Sequence, residues 1–127
     1  MNIYALSTGR GPSGIAIIRI SGKDVLKICK NITKLKKIKS NEVNFCKFFD
    51  PKNGEIIDPE ALLLWFPGPD SYTGEDMAEI QVHGSKAVVD ALHSSISKIE
   101  NCRLAEPGEF TKLAFQNGKI NLLEAES

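Results

Sequence analysis

Apolar and polar side chains alternate with a period of two over residues 77 to 83: Ala78, Ile80 and Val82 fall on one side, Met77, Glu79, Gln81 and His83 on the other. The pattern predicts a strand with one buried and one polar face, which places Glu79 mid-strand on the polar side. Ile3 to Ser7 and the isoleucine-rich run Ile15 to Ser21 predict two further strands, joined by a glycine-rich loop. Ala61 to Phe66 is a continuous apolar run of strand length, the pattern of a strand buried on both faces. Phe45 to Asp50, the turn Pro51-Lys52-Asn53-Gly54 and Glu55 to Ile57 predict a hairpin, because Asn-Gly readily takes positive φ.

Elsewhere the period lengthens to that of a helix. Val25, Leu26, Ile28, Cys29 and Ile32 form a stripe on a helix starting near Lys23, with Ser21 as its cap. Val88, Ala91, Leu92, Ser95, Ile96 and Ile99 form a second stripe, predicting a helix over 85–100 packed on the sheet. Cys102 to Ala105 reads as a last short strand. Pro107-Gly108 then opens a short helix with Phe110, Leu113 and Ala114 on one face, and Gly118 closes it one residue before a solitary Lys119. Leu122 to Glu126 begins another helix that stops before it finds a partner, so the chain is expected to be cut from something longer. The expected organisation is one α/β (α+β) domain over 1–119, a mixed β-sheet with two to three packed helices, followed by the start of a helical domain over 120–127.

A length of 127 residues with 42% hydrophobic content suits one core and is short for two. No apolar run reaches the length of a membrane span and no signal-peptide pattern opens the chain, so a cytoplasmic location is expected. Cys29, Cys46 and Cys102 lack any Cys-x-x-Cys spacing, which argues against a disulfide framework or a zinc site. Net charge is zero but unevenly spread: residues 1–50 carry 10 Lys and Arg against 3 acids, and residues 51–127 carry 6 against 13. Such a split favours head-to-tail contacts or an anionic partner for the first part. Its basic excess, Lys30, Lys34, Lys36, Lys37 and Lys39, has no interleaved aromatic residue for base stacking and reads first as a solvated helix end, with a phosphate-contacting patch as the alternative.

Gly9-Arg10-Gly11-Pro12-Ser13-Gly14 matches the dinucleotide fingerprint G-x-G-x-x-G, but a strand follows where the fingerprint requires a helix N-terminus for the pyrophosphate. No G-x-x-x-x-G-K-[ST] loop is present, so this sequence carries no P-loop for GTP. Arg19 lies in an otherwise apolar strand, where an unpaired buried charge is costly. Glu79 is its obvious partner, and two readings are open: an internal salt bridge that fixes strand register, or two charges directed into one cleft. In the second, a carboxylate accepts two hydrogen bonds from an amidine-like heterocycle edge while the cation faces a carbonyl or carboxylate. His83, with no second histidine nearby, reads as a structural hydrogen-bonding residue, and His93 as solvated. Ser71 to Asp76 departs from the calcium-loop pattern and reads as a turn and a binding or dimer-contact loop, so no metal site is expected.

Arg19-Ile20-Ser21-Gly22, Phe66-Pro67-Gly68-Pro69-Asp70-Ser71-Tyr72-Thr73-Gly74-Glu75-Asp76 and the stretch Leu104 to Lys119 together resemble the N-terminal domain of the MnmE (TrmE) family of tRNA modification GTPases, over essentially the whole chain. The resemblance implies a domain that binds 5-formyl-tetrahydrofolate as a one-carbon donor and pairs two subunits as a homodimer. It implies Arg19, Glu79 and Lys119 as the folate-contacting residues and no catalytic residue in this part. The Gly9 to Gly14 loop departs from the family's usual Pro-Pro-Gly-Arg-Gly-Gly form. For the full-length family the resemblance implies GTP hydrolysis with Mg2+ and K+ in a separate G domain, and a flavoprotein partner of the MnmG type. The product is a modification at C5 of the tRNA wobble uridine. Two rivals are a freestanding folate-dependent aminomethyltransferase-like enzyme and a tRNA-binding module built on the lysine cluster.

Overall fold

The computed structural model describes residues 1–8 and 14–120. The loop from Gly9 to Ser13 and the helix expected at Leu122 to Glu126 lie outside them. In chain order the elements are β1 (Asn2–Thr8), β2 (Ile15–Ser21), α1 (Val25–Thr33), β3 (Val43–Phe49), β4 (Ile56–Phe66), β5 (Met77–His83), α2 (Lys86–Ser97), β6 (Cys102–Leu104) and α3 (Glu109–Gln116). The strands form one six-stranded sheet in the order β3-β4-β5-β2-β1-β6. Every pairing is antiparallel except that of β6 with β1, so the sheet is mixed and the fold is α+β, as the periodicities predicted.

The core forms where α1 and α2 pack against the sheet. Ile18 and Ile20 of β2, Leu63 of β4 and Ile80 of β5 meet Ile28 and Ile32 of α1 and Leu92 and Ile96 of α2 in one buried cluster. Burying side chains of this size is the main favourable term, about 1.5–3 kcal/mol each relative to exposure. The other face of the central strands is only partly covered. Two expectations change here. Ala61 to Phe66 is not buried on both faces: Ala61, Leu63 and Trp65 are buried, whereas Leu62, Leu64 and Phe66 are half-buried on the open side. The apolar run reflects an uncovered sheet face rather than a second helical layer. Glu55 to Ile57 and Ala61 to Phe66 are also not separate segments, because Ile56–Phe66 is one long strand paired with β3. The turn feeding it is as expected, with Gly54 at φ 75° and its N–H on the Asp50 carbonyl.

The expected cap of the first helix is also corrected. Ser21 closes β2, and α1 starts at Val25 with Asp24 in the N-cap position and no side-chain cap bond. Asp24 is otherwise engaged: its Oδ2 accepts from Asn2 Nδ2 at 3.0 Å, and its N–H donates to Asn2 Oδ1. Asn2 thereby ties β1 to the start of α1. Gly22 permits this approach, since a Cβ there would lie 2.9 Å from the Asn2 Cα, and its φ of +151° suits glycine. In α2, Ser85 is the N-cap and accepts from the Val88 N–H. Its stripe is displaced from the expected one: Ala91 is exposed, and Val89 packs against the core instead.

Candidate functional site

Arg19 and Glu79 are direct register partners across the central pair β2 and β5. Both side chains stand on the open sheet face, with Arg19 Nε 3.7 Å from Glu79 Oε2. The pair is an ion pair at a separation beyond hydrogen-bond length, so the carboxylate keeps acceptor capacity and the guanidinium keeps donors for a ligand. The Arg19 side chain is 51% exposed and that of Glu79 18%, which corrects the premise of a buried arginine. Pairing is therefore not forced by desolvation. Gln81, two residues along β5, donates from Nε2 to Glu79 Oε1 at 3.3 Å and steadies the carboxylate from its other side.

Lys119 reaches the same place through a helix terminus. The Gly118 N–H bonds the Phe115 carbonyl and the Lys119 N–H bonds the Ala114 carbonyl, with Gly118 at φ 71°. These are the two bonds of a Schellman cap, which turns the chain sharply after α3 and sets the direction in which Lys119 leaves it. The other end of α3 is fixed by Glu109, which accepts from Arg103 at 2.8 and 2.5 Å and from the Glu106 N–H at 2.9 Å. Hydrogen bonding from Arg103 is the main cause that lowers the Glu109 carboxyl to about 2.

A third element closes the site. The segment between β4 and β5, expected to be a turn and contact loop, is held by side chains at both ends. Thr73, fully buried, meets the Ser21 hydroxyl at 2.8 Å; Ser21 also donates to Glu75 Oε1, and Asp76 Oδ1 accepts from the Gly68 N–H. On the far side Asn117 Nδ2 donates to the Thr73 carbonyl at 2.7 Å, and Tyr72 OH lies 3.4 Å from Thr111 Oγ1. The loop is thus pinned between the end of β2 and α3. Arg19, Glu79 and Lys119, far apart in sequence, line one cavity of about 650 Å³ with Phe66, Asp70 and Tyr72 among its other walls. Phe66 and Tyr72 supply flat apolar surface beside three charges that had been anticipated and one, Asp70, that had not. No sequence periodicity marks Asp70 or Tyr72; they sit in the segment from β4 to β5 that the sequence had marked as a binding or contact loop.

A larger cavity of about 800 Å³ opens further along the same open face, around His83. Its origin is a parting of strands. The β4–β5 ladder ends at Leu62 and Gln81, and beyond it Asp58 folds under His83. The Asp58 carboxylate, with no exposed side-chain surface, accepts the His83 main-chain N–H at 2.8 Å, His83 Nδ1 at 3.0 Å and the Glu60 N–H at 2.9 Å. Burial alone would push the Asp58 carboxyl up, but the hydrogen bonds from His83 and Glu60 outweigh it and hold it below its usual value. The same contact, followed by the Asp58 and Glu60 charges, raises the His83 imidazole. The structural role expected for His83 is present; Asp58 had not been singled out. His93 is exposed, as expected, although its Nδ1 lies 3.2 Å from the buried Tyr4 hydroxyl.

The cysteines behave as packing residues. Burial raises Cys29 to about 12 and Cys46 and Cys102 to about 11, far from a reactive thiolate. Among the described residues no cluster of His, Cys, Asp and Glu is arranged to hold a metal ion, and no helix is long and apolar enough to cross a membrane.

A helix layer on one face of a mixed sheet and a loop-walled charged cavity on the other define the class: an α+β domain with a charged cavity on its open sheet face. The chain belongs to the family described as GTP-binding protein TrmE N-terminus, whose model matches residues 2–119. It is 65% identical over its whole length to the tRNA modification GTPase MnmE of Pelagibacter ubique, covering 28% of that protein. Identity is 46% to the tRNA modification GTPase MnmE of Zymomonas mobilis and 48% to that of Brucella anthropi, each over 98% of this chain, and 28% and 27% of those proteins. The chain thus spans little more than a quarter of the length of these curated relatives.

Proposed function

We propose that this chain is the folate-binding and dimer-forming N-terminal domain of a tRNA modification GTPase, taking 5-formyl-tetrahydrofolate as its one-carbon donor. The observation that carries the reading is the convergence of Arg19, Glu79 and Lys119 on one cavity. In it Glu79 accepts the 2-amino and ring N–H edge of the pterin, while Arg19 and Lys119 face the carbonyl and carboxylate groups of the ligand. Charge-assisted bonds of this kind contribute roughly 1.5–3 kcal/mol each. The half-exposed Phe66 and exposed Tyr72 give the heterocycle an apolar wall. Calorimetric titration with 5-formyl-tetrahydrofolate tests the assignment: saturable one-to-one binding is expected, and its absence overturns it.

In the whole protein this domain holds the one-carbon donor and pairs two subunits. A separate G domain hydrolyses GTP with Mg2+ and K+, and a flavoprotein of the MnmG type joins in modifying C5 of the tRNA wobble uridine. The setting is cytoplasmic, and the domain runs over 1–119, with residues 120–127 opening the next. Three exposed apolar side chains, Tyr72 at the cavity, Phe115 on α3 and Leu104 at the end of β6, support a dimer seam beside the ligand.

One observation favours a second reading, an aminomethyltransferase-like enzyme in the same pocket: Asp70 lines the cavity, and a carboxylate acting on a folate nitrogen is the group that such an enzyme requires. Folate-dependent one-carbon transfer by this chain alone, lost in Asp70→Asn while folate binding persists, would establish that reading over the first.

A further inference from the structure

The Asp58–His83 arrangement is more than a clamp between two strands. Asp58 fixes the imidazole through Nδ1, so the ring is held in one orientation with Nε2 as its free nitrogen. The His83 side chain is 62% exposed and borders the 800 Å³ cavity. Among the described residues the ionisable groups around it are Asp58 and Glu60 from β4 and, from β3, Lys47, which lines the same cavity. Asp58 is spent on the imidazolium it stabilises. Lys47 and protonated His83 are balanced by Asp58 and Glu60, so these groups sum to zero, and a single carboxylate held by the two cationic donors suits the cavity better than a phosphate dianion. Most of the remaining wall is apolar, with Phe45, 80% exposed, Ile15 and Leu62, while Gln81 adds a neutral polar side chain. An exposed aromatic ring beside a cationic donor accommodates a planar ring that carries an acid group.

We propose that the cavity between β3, β4 and the end of β5 is a second ligand site, in which His83 and Lys47 bind the carboxylate of an aromatic acid stacked against Phe45. Glu79 and His83 lie on the same face of β5, four residues apart, which at a strand rise of about 3.3 Å per residue is ~13 Å. Two sources of such an acid are compatible with that spacing: the distal end of an elongated ligand whose head lies between Arg19 and Glu79, or an independent aromatic carboxylate. The site itself rests on the parted strands and the Asp58–His83 contact, not on the folate reading.

The probe is 4-aminobenzoylglycine, which has the ring and a single carboxylate but no pterin. Titrated into the isotopically labelled 127-residue chain, it should shift the His83 ring signals and raise the pH at which that ring titrates. Its affinity should fall about tenfold in His83→Gln and in Lys47→Met, and also as the pH is raised through the His83 titration. The methyl ester of the probe should not bind measurably. Because both side chains are exposed, the variants should fold, which circular dichroism checks. Competition then separates the sources: displacement of the probe by 5-formyl-tetrahydrofolate identifies a ligand tail, and simultaneous occupancy identifies an independent acid. Ester binding equal to that of the acid, or unchanged affinity in His83→Gln, overturns the proposal. Glu79→Ala should leave probe binding intact, so failure of the pterin assignment and failure of this site give different results.

Discussion

Lys119 is joined to Glu79 by architecture rather than by sequence: a Schellman cap after α3 brings the lysine to the cavity that Glu79 borders from the centre of β5. One group is held by a strand in mid-sheet, where register fixes it to a single position. The other hangs from a helix end whose geometry depends on one glycine. The two therefore differ in how mutation reaches them.

Removing the strand-held group should act on binding alone. Glu79→Ala deletes a partly exposed carboxylate whose partner Arg19 can be solvated, so the fold should survive. Affinity for 5-formyl-tetrahydrofolate should fall by about 1.5–3 kcal/mol, measured by calorimetry alongside a thermal melt. A folded Glu79→Ala chain that binds as well as the parent would show the pterin-edge role to be wrong.

The helix-held group should be sensitive to backbone change. Gly118 sits at φ 71° with open space around it, so Gly118→Ala meets no clash and pays only the left-handed strain of about 1–2 kcal/mol. Gly118→Asn should be milder, since asparagine tolerates that conformation. If the cap aims Lys119, folate affinity should follow the order Gly, Asn, Ala at position 118 in calorimetry, while Arg19 and Glu79 remain untouched.

Much of this was readable beforehand because local pattern and tertiary fold agree. Period-two alternation in Met77 to His83 put Glu79 on the polar face, and Gly118 before Lys119 marked the cap. What escaped was set by long-range partners. Ser21 resembles a helix cap in sequence, yet its hydroxyl is taken by Thr73 and Glu75, more than fifty residues away. Ala61 to Phe66 reads as doubly buried because apolar composition cannot distinguish a covered face from an open one. Asp58, alone between Ile57 and Pro59, shows no pattern at all; only the parting of β4 from β5 gives it His83.

The Asp58–His83 pair should leave a mark on stability against pH. The folded-state value of His83 is raised above its usual 6.5, so its contribution is fully present below about pH 6.5 and is lost as pH rises through the folded value. Asp58 is lowered from its usual 3.8, so its contribution is present above about pH 3.8 and is lost as pH falls through the folded value. Both operate between these limits. Urea unfolding at pH 5.5 should find His83→Gln less stable than the parent, with the gap narrowing at pH 8.5; an equal gap at both would mean that packing, not charge, is what the imidazole supplies.

Assembly is the last expectation, and it follows from charge and exposure together. The basic excess of residues 1–50 and the acidic excess of 51–127 give each copy two complementary parts, and a two-fold axis can satisfy both contacts at once. Leu104 at the end of β6 and Phe115 on α3 are large, apolar and exposed, and α3 also carries the Thr111 contact to Tyr72 of the loop that walls the cavity. A seam there would cover them and bring two ligand sites close together. Light scattering over the micromolar range should show a dimer that weakens with added salt and is lost in Leu104→Lys with Phe115→Ser, the fold being checked by circular dichroism. Folate affinity measured across the same concentrations should rise as the dimer forms if the seam borders the cavity. A monomer throughout would place the stability of the dimer in regions beyond these 127 residues, and affinity independent of concentration in a proven dimer would move the seam away from the ligand.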